Sequence, residues 1–432
     1  MKVFVVGSGG REHALVWRLR QEDPSIEVIA APGNPGIAEL AECVPIGADI
    51  DALVAFARQR GITWTLVGPE APLAAGLVDA FRANGLAIFG PTRAAAMLET
   101  SKAFSKTLME EAGVPTARAI TCNDLAEAYR AISEIGAPVV VKASGLAAGK
   151  GVIICETVDE AQSAAAAMLK DGAFGAAGDT ILVEEFMEGE ELSVFAMTDG
   201  ERVVVLPSAQ DHKRLLERDR GPNTGGMGAY SPVSLVDQNP GIIDEIVDRI
   251  IRPTLSAMRA NGTPFTGLLY VGAMLTSDGP KVVEFNCRFG DPETQAVLPA
   301  MSLEDSMADA MFTIARGDKL SGDSQFAVSR AAVTTVLAAP GYPEAPRVGA
   351  VIGFPPLPRD VLVFHAGTKQ RADGSLVTAG GRVLAVTGVG ATFDEAQSRS
   401  QKFAREIEFE GKQFRADIGW RELERRAGAT GD

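Results

Sequence analysis

The sequence predicts a multidomain α/β protein. The chain is 432 residues long, too long for one core and enough for about three or four domains. Its first hundred residues alternate β-branched runs with amphipathic helices, the pattern of a parallel sheet with covered faces. Hydrophobic residues make up 46 % and charged residues 22 %, the balance of a soluble globular chain.

The elements follow in order. Lys2–Val6 reads as a buried strand ending in Gly7-Ser8-Gly9-Gly10. A helix from about Glu12 to Arg20 follows, then strands at Glu27–Ala30, Thr65–Val67 and Leu86–Phe89. Helices at Asp51–Arg60 and Leu73–Ala83 complete an expected Rossmann-like unit. A helix from Ser101 ends near Gly113-Val114-Pro115. A compact α/β block comes next: helix Asp124–Glu134, strand Pro138–Lys142, a glycine-rich loop, strand Val152–Cys155, helix Val158–Leu169 and strand Thr180–Glu185. Strands return at Leu192–Met197, Arg202–Leu206, Gly267–Leu275 and Lys281–Asn286, with helices at Gly241–Asn261 and Leu303–Arg316. Last come strands Ala331–Ala338, Val361–Ala366 and Arg382–Gly388, helix Phe393–Glu408, and a tail from Glu422 expected to fray.

Charge and cysteine usage exclude several classes. The chain carries 41 Lys and Arg against 56 Asp and Glu, a net charge of −15. Nonspecific nucleic-acid binding is disfavoured, because phosphate backbones would be repelled. Four cysteines (43, 122, 155, 287) form no CxxC pair, and three histidines stand apart, so no zinc site is expected. Few cysteines suit a reducing cytosol. No apolar run reaches about 18 residues, and the N-terminus has no signal-peptide layout.

The most telling stretch is Val282-Val283-Glu284-Phe285-Asn286-Cys287-Arg288-Phe289-Gly290-Asp291-Pro292-Glu293. On a strand, Glu284 and Asn286 share one face, and Val283, Phe285 and Cys287 face the core. Two hard oxygen ligands beside Arg288 suit a metal-bound polyphosphate. An edge strand with solvated polar residues would read the same way.

Other motifs add to it. The Gly7–Gly10 turn suits a phosphate cradle at a helix start, or simply a tight turn. A nicotinamide site would want an acid after the second strand, and Val28–Asn34 offers none. In Val139–Val152 a buried strand ends in Lys142 and enters a Gly/Ala loop that lacks the Walker spacing. Such a loop can fold over a triphosphate with Lys142 as a point charge, or be a mobile surface hairpin. Glu184-Glu185-Phe186-Met187 through Glu191 reads as an acidic hinge. Asp211 and Lys213 on a strand end suit a zwitterion, and the Gly-dense loop Gly221–Tyr230 suits a close approach to a ligand or another backbone.

Together these strings resemble the phosphoribosylamine–glycine ligase family of the ATP-grasp superfamily. The resemblance covers nearly the whole chain, from Gly7–His13 to Asp417–Arg421, through Gly68–Leu73, Gly145–Val152, Gln210–Arg214, Gly221–Tyr230 and Glu284–Thr294. It implies an N-terminal Rossmann-like domain over 1–101 and an ATP-grasp core over 102–120 and 192–326. It also implies a small α/β lid over 121–191 and a C-terminal α+β domain over 327–432. The implied reaction joins glycine to 5-phosphoribosylamine with ATP, through a glycyl phosphate, in purine biosynthesis. Another ATP-grasp carboxylate–amine ligase is the alternative.

Carried over by position, Lys102 and Lys142 contact ATP phosphates beneath the loop containing Gly149 and Gly151. Glu184 and the Phe186-Met187 backbone take adenine, and Glu191, with Glu190 adjacent, the ribose. Glu284 and Asn286 hold Mg²⁺ or Mn²⁺. Arg288, with Lys142, is catalytic and stabilises the transferred phosphoryl group. Gly9, Gly10 and Glu70 hold phosphoribosylamine, with Lys369 or Arg382 as candidates for its phosphate. Asp211, Lys213 and Asn223 lie near glycine. Small molecules are the expected partners, with no nucleic acid and no membrane. A cytoplasmic monomer, with at most transient contact to the upstream amidotransferase, fits the resemblance. Two departures stand out: Gly267–Ala273 carries no acid, leaving the number of metal ions open, and Ser144 stands where the loop would have Asp.

Overall fold

The computed structural model describes residues 1–147 and 150–429. At the N-terminus a five-stranded parallel sheet forms in the order Glu42–Cys43, Glu27–Pro32, Lys2–Gly7, Trp64–Val67, Ile88–Phe89. The order turns back at Lys2–Gly7, so a crevice opens beyond the carboxyl ends of Lys2–Gly7 and Trp64–Val67. Open α/β sheets bind ligands at such a point. The loops there are Gly7–Gly10 and Gly68–Glu70.

A four-stranded antiparallel sheet forms the α/β block, ordered Ala119–Cys122, Ile181–Glu185, Val139–Ala143, Val152–Cys155. Helices Leu125–Ile135 and Val158–Leu169 bury their alanine-rich faces against it. Each is capped by its preceding residue, Asp124 or Thr157, which accepts a backbone N–H of the first turn.

The largest sheet runs Gly279–Asn286, Gly267–Thr276, Glu190–Thr198, Val203–Asp211, Gly228–Ser231, Ala331–Ala338, Arg382–Gly390, Val361–His365, with Ser324–Gln325 beside Val203–Asp211. It continues without a break across position 327. One of its faces joins the core of the N-terminal helix Gly10–Glu22 through Phe195, Met197 and Leu268. Its other face packs on the helical run 242–260.

Several expectations need correction. The expected helix Leu73–Ala83 is two helices, Glu70–Ala75 and Leu77–Ala83, broken where Gly76 takes a left-handed φ of 91°. The helix expected from Leu303 begins at Met307, where Ser306 caps it. The tail does not fray at Glu422: Trp420–Ala429 is a helix, and Glu422 is fully buried against Ser234, Arg425 and Arg426. Helix Thr294–Ala300 and strand Gly228–Ser231 were not expected.

Two buried contacts seat the N-terminal sheet. Arg18 is fully buried and donates to the carbonyls of Leu298 (3.4 Å), Met301 (3.3 Å) and Ser302 (2.6 Å). Its partner Glu22, 2.5 Å away, accepts the N–H groups of Met307 and Ala308 at the start of another helix. On the other side, the His365 N–H donates to His13 Nδ1 at 2.9 Å. Burial lowers the His13 imidazole pKa to about 3, so it stays neutral and can accept. Replacing Arg18 with Met leaves Glu22 buried without its cation. This change lowers unfolding stability by about 3 kcal/mol or more, read from the urea midpoint.

Candidate active site

The strand Gly279–Asn286 delivers its polar residues with one irregularity. Its pairing with Gly267–Thr276 slips between Glu284 opposite Gly272 and Val282 opposite Ala273. Val282 and Phe285 fill the core, whereas Val283 joins Glu284 and Asn286 in lining a cleft. The expected core position of Val283 is therefore wrong, because the bulge adds a residue and resets the alternation. The displaced Val283 carbonyl accepts from Lys142 Nζ at 3.2 Å.

Arg288 leaves the strand end and is held from several sides. Its guanidinium lies 2.8 Å from Glu99 and 3.4 Å from Glu70, and donates to Asn286 Oδ1 at 3.1 Å. Burial works against its charge, but Glu99 and Glu70 outweigh it and hold the cation more firmly than usual. Glu99 in turn accepts the Cys287 N–H at 2.8 Å. Burial raises the Glu99 carboxyl despite Arg288.

Lys142 is the penultimate residue of its strand, Val139–Ala143, which runs one residue past the expected end, and its ammonium lies 2.6 Å from Glu184. The other Glu184 oxygen lies 3.2 Å from Lys106, which also donates to Thr116 Oγ1 and the Ala117 carbonyl, both at 2.9 Å. Burial pushes the Glu184 carboxyl up, and Lys142 and Lys106 more than reverse this. Lys102 reaches the Gly145 carbonyl at 3.3 Å, and burial lowers its pKa. Ser144 has a structural use: its Oγ accepts the Ala103 N–H at 3.1 Å at the start of helix Lys102–Glu111. A side chain at Gly151 would meet Ala147 Cβ at 2.7 Å, so the hairpin closes only with glycine there. Gly149 lies outside the described residues.

These groups line a cleft of about 670 Å³, a size typical of small-molecule sites. One end is apolar, walled by Met109, Val140, Leu146, Val152, Phe186, Met187 and Met274. Phe186 is 38 % exposed there. In the middle, Lys213 pairs with Glu191 and lies 3.5 Å from Glu284. Asp211, Tyr270 and Glu293 stand beside it. Burial, then the neighbouring acids, pushes the Asp211 carboxyl well up against the pull of Lys213. The far end holds Arg11, Glu70, Asp291 and Arg382. Arg382 lies 3.1 Å from Asp291 and donates to the carbonyls of Asp291 and Gly225. Asn223 donates to the Val152 carbonyl at 3.2 Å, tying the Gly-dense loop to the hairpin.

Lys102, Lys142, Gly151, Glu184, Phe186, Met187, Glu191, Glu70, Asp211, Lys213, Asn223, Glu284, Asn286 and Arg288 all line this cleft. Gly9 and Gly10 do not line it. The Gly9 N–H is taken at 2.5 Å by Glu12, whose carboxylate closes back on its own helix start. The expected phosphate cradle thus loses a donor. Exposed Lys369 stays outside, whereas Arg382 is in the cleft. Glu190 also lines the cleft and pairs with Arg425 at 2.5 Å. Glu99, Lys106, Tyr270 and Glu293 were missed. Glu293 belonged to the quoted string, but read as a turn.

Glu284 and Asn286 together supply two hard oxygens. That donor set fits Mg²⁺ or Mn²⁺ whose other ligands are phosphate and water. Among the described residues, no group of three or more His, Cys, Asp or Glu side chains is placed to hold a metal.

A glycine hairpin over a cationic groove, an apolar end and a carboxylate–amide strand define an ATP-grasp enzyme, which uses ATP with Mg²⁺ or Mn²⁺. The family descriptions "Phosphoribosylglycinamide synthetase" N domain, ATP-grasp (A) domain and C domain match residues 1–99, 100–294 and 332–421. The chain belongs to the phosphoribosylglycinamide synthetase family. It is 49 % identical to a phosphoribosylamine–glycine ligase of Ralstonia nicotianae, over 98 % of this chain and all of that one. A Vibrio parahaemolyticus ligase of the same name is 47 % identical, over 98 % and 99 % of the two chains. The crystal structure of phosphoribosylamine–glycine ligase from Thermotoga maritima superposes with a TM-score of 0.84 at 34 % identity, covering 97 % of this chain and 100 % of that one. A biotin carboxylase domain from Hydrogenobacter thermophilus, crystallised with MgADP, shares the fold at 21 % identity and a TM-score of 0.70, covering 96 % and 91 %.

The Glu184 clamp makes a pH prediction. Its folded pKa lies below the unfolded value of about 4.3, so its ionised form adds stability above that pH. The contribution fades as pH falls through the folded value. Urea midpoints between pH 6 and 3 should therefore fall more steeply for the native chain than for Glu184→Gln.

Proposed function

We propose that this chain joins glycine to 5-phosphoribosylamine, consuming ATP. The observation that carries it is the convergence of Lys142, Glu184, Glu284, Asn286 and Arg288 on one cleft, in a chain of this family. The apolar end around Phe186 and Met187 accommodates adenine, and Glu191 faces the ribose. Lys102 and Lys142 neutralise phosphate charge beneath the hairpin. Glu284 and Asn286 would hold the divalent metal, which supplies charge neutralisation on the phosphates. A glycine carboxylate oxygen attacks the γ-phosphorus, ADP leaves, and glycyl phosphate forms. The phosphoribosylamine nitrogen then attacks the acyl carbon, phosphate leaves, and the nitrogen loses a proton. No protein nucleophile is required; positioning and charge do the catalysis.

Arg288 acts where charge accumulates on the transferred phosphoryl group and acyl phosphate. Glu99 and Glu70 keep it charged and aimed. Glu70, beyond the strand Trp64–Val67, offers its carboxylate to phosphoribosylamine hydroxyls, and Arg382 with Arg11 its phosphate. A cytoplasmic monomer, contacted transiently by the amidotransferase that makes phosphoribosylamine, belongs to the same reading. No helix among the described residues is long and apolar enough to cross a membrane.

Phosphate release should need glycine and phosphoribosylamine together, the latter generated in situ. Turnover with bicarbonate or formate in place of glycine would overturn the reading in favour of another ATP-grasp ligase. Arg288→Ala should lower kcat by about a hundredfold or more, measured by coupled product formation. Chelation with EDTA should abolish turnover, and Mg²⁺ or Mn²⁺ should restore it.

A further inference from the structure

Two pieces of the chain that the ligation chemistry leaves unused, His212 and the string Asp417–Arg421, meet at one place. Beyond the strand Val203–Asp211 the chain forms a strap, two short antiparallel strands at Arg214–Leu216 and Arg220–Asn223. At its tip Arg218 and Asp219 take left-handed φ values of 56° and 53°, the only described non-glycine residues to do so. A side chain holds that conformation only where its surroundings impose it.

The C-terminal segment imposes it. The Arg218 N–H donates to Asp417 Oδ2 at 2.7 Å. Arg415 is fully buried and reaches Asp219 at 2.9 Å, Asp417 at 2.8 Å and the Arg214 carbonyl at 3.1 Å. Arg421 pairs with the other Asp219 oxygen at 2.6 Å. Burial pushes the Asp219 carboxyl up, and His212, Arg415 and Arg421 more than reverse this. The guanidinium groups of Arg218 and Arg421 lie over the Trp420 ring, each 4.6 Å from its centre. His212 ties in the root of the strap. Burial lowers its pKa, so the ring is neutral, and its Nε2 accepts the Gly419 N–H at 2.8 Å. The ring proton therefore sits on Nδ1, 3.7 Å from Asp219.

Both ends of the strap reach the cleft. At its root Lys213 pairs with Glu191 and lies 3.5 Å from Glu284. At its far end Asn223 donates to the Val152 carbonyl of the roof hairpin at 3.2 Å. Arg415 and Trp420 do not line the cleft themselves. We propose that Arg415, Asp219 and Trp420 are positioning residues for nucleotide binding: by clasping the strained tip of the strap they fix Lys213 against Glu191 and Glu284, and Asn223 against the roof hairpin. This rests on the placement of ATP beneath that hairpin given above, and not on which acid and amine are joined.

The test is calorimetric binding, with Mg²⁺, of the non-hydrolysable ATP analogue that carries nitrogen between its β- and γ-phosphates. Asp219→Asn keeps a residue that accepts a left-handed φ but removes the charge facing Arg415 and Arg421. It should weaken analogue binding on the order of tenfold, at a temperature where thermal melting shows both chains folded. Trp420→Ala should lose a similar factor, whereas Trp420→Phe, which keeps an aromatic face for the two arginines, should stay within about twofold of the native chain. Arg415→Gln combined with Asp219→Asn should cost no more than the larger single change, within about twofold, because both break one contact. If Arg415→Gln fails to fold, Asp219→Asn and the Trp420 pair carry the test. Native affinity in Asp219→Asn would overturn the proposal. So would equal losses for Phe and Ala at position 420, or additive losses in the double variant. A native chain that fails to bind the analogue overturns the placement of ATP, and the ratio of variant to native tests the clasp, so the two fail separately.

Discussion

The organisation of this molecule depends on how the partly buried Arg288 is neutralised. A buried guanidinium is tolerable only with acids and acceptors around it. Its acids come from outside its own strand: Glu70 from beyond the N-terminal sheet and Glu99 from a short helix leading into the next unit. The ion pairs therefore require the switch point of the parallel sheet to abut the end of the metal strand. Arg18 and His13 reinforce the same docking with backbone hydrogen bonds. Mutual dependence of this kind lets residues far apart in sequence form one cleft.

The cleft sorts charge along its length. At the apolar end Glu184 is neutralised twice over, by Lys142 and Lys106. At its centre acids outnumber Lys213. At the far end Arg11 and Arg382 pair with Glu12 and Asp291. Burial magnifies each imbalance, because water no longer screens it. Surplus cation suits phosphate, and surplus acid suits metal and ammonium. The same arrangement explains why no nucleophilic side chain is needed: the reacting groups carry the charge, and the protein offsets it where it moves.

The glycine-rich segments divide into two physical kinds. Gly151 is required by the close approach of Ala147 and Ala143 across the hairpin. Near the N-terminus, Gly7, Gly9 and Gly68 leave room for the folded-back Glu12, whose atoms a side chain at each position would meet. The first kind shapes the roof of the cleft. The second makes room for the protein's own capping carboxylate.

Much of the site was legible because its signals are local. Alternation placed Glu284 beside Asn286, a buried run ending in Lys142 announced the hairpin, and the ordered strands and helices of the first hundred residues announced a parallel sheet. These depend on neighbours within a few residues, which the sequence determines alone. Only the tertiary structure decided what each charge meets. It exposed the bulge at Val283, since a bulge is settled by the partner strand. It assigned Lys106 to Glu184 and Glu99 to Arg288, pairs brought together from separate elements. It paired the Gly9 N–H with the Glu12 carboxylate, and it left Glu293 with an oxygen unsatisfied. The physical reason is common to all four: electrostatic and packing partners are chosen by proximity in space, and sequence spacing encodes that proximity only within one strand or helix.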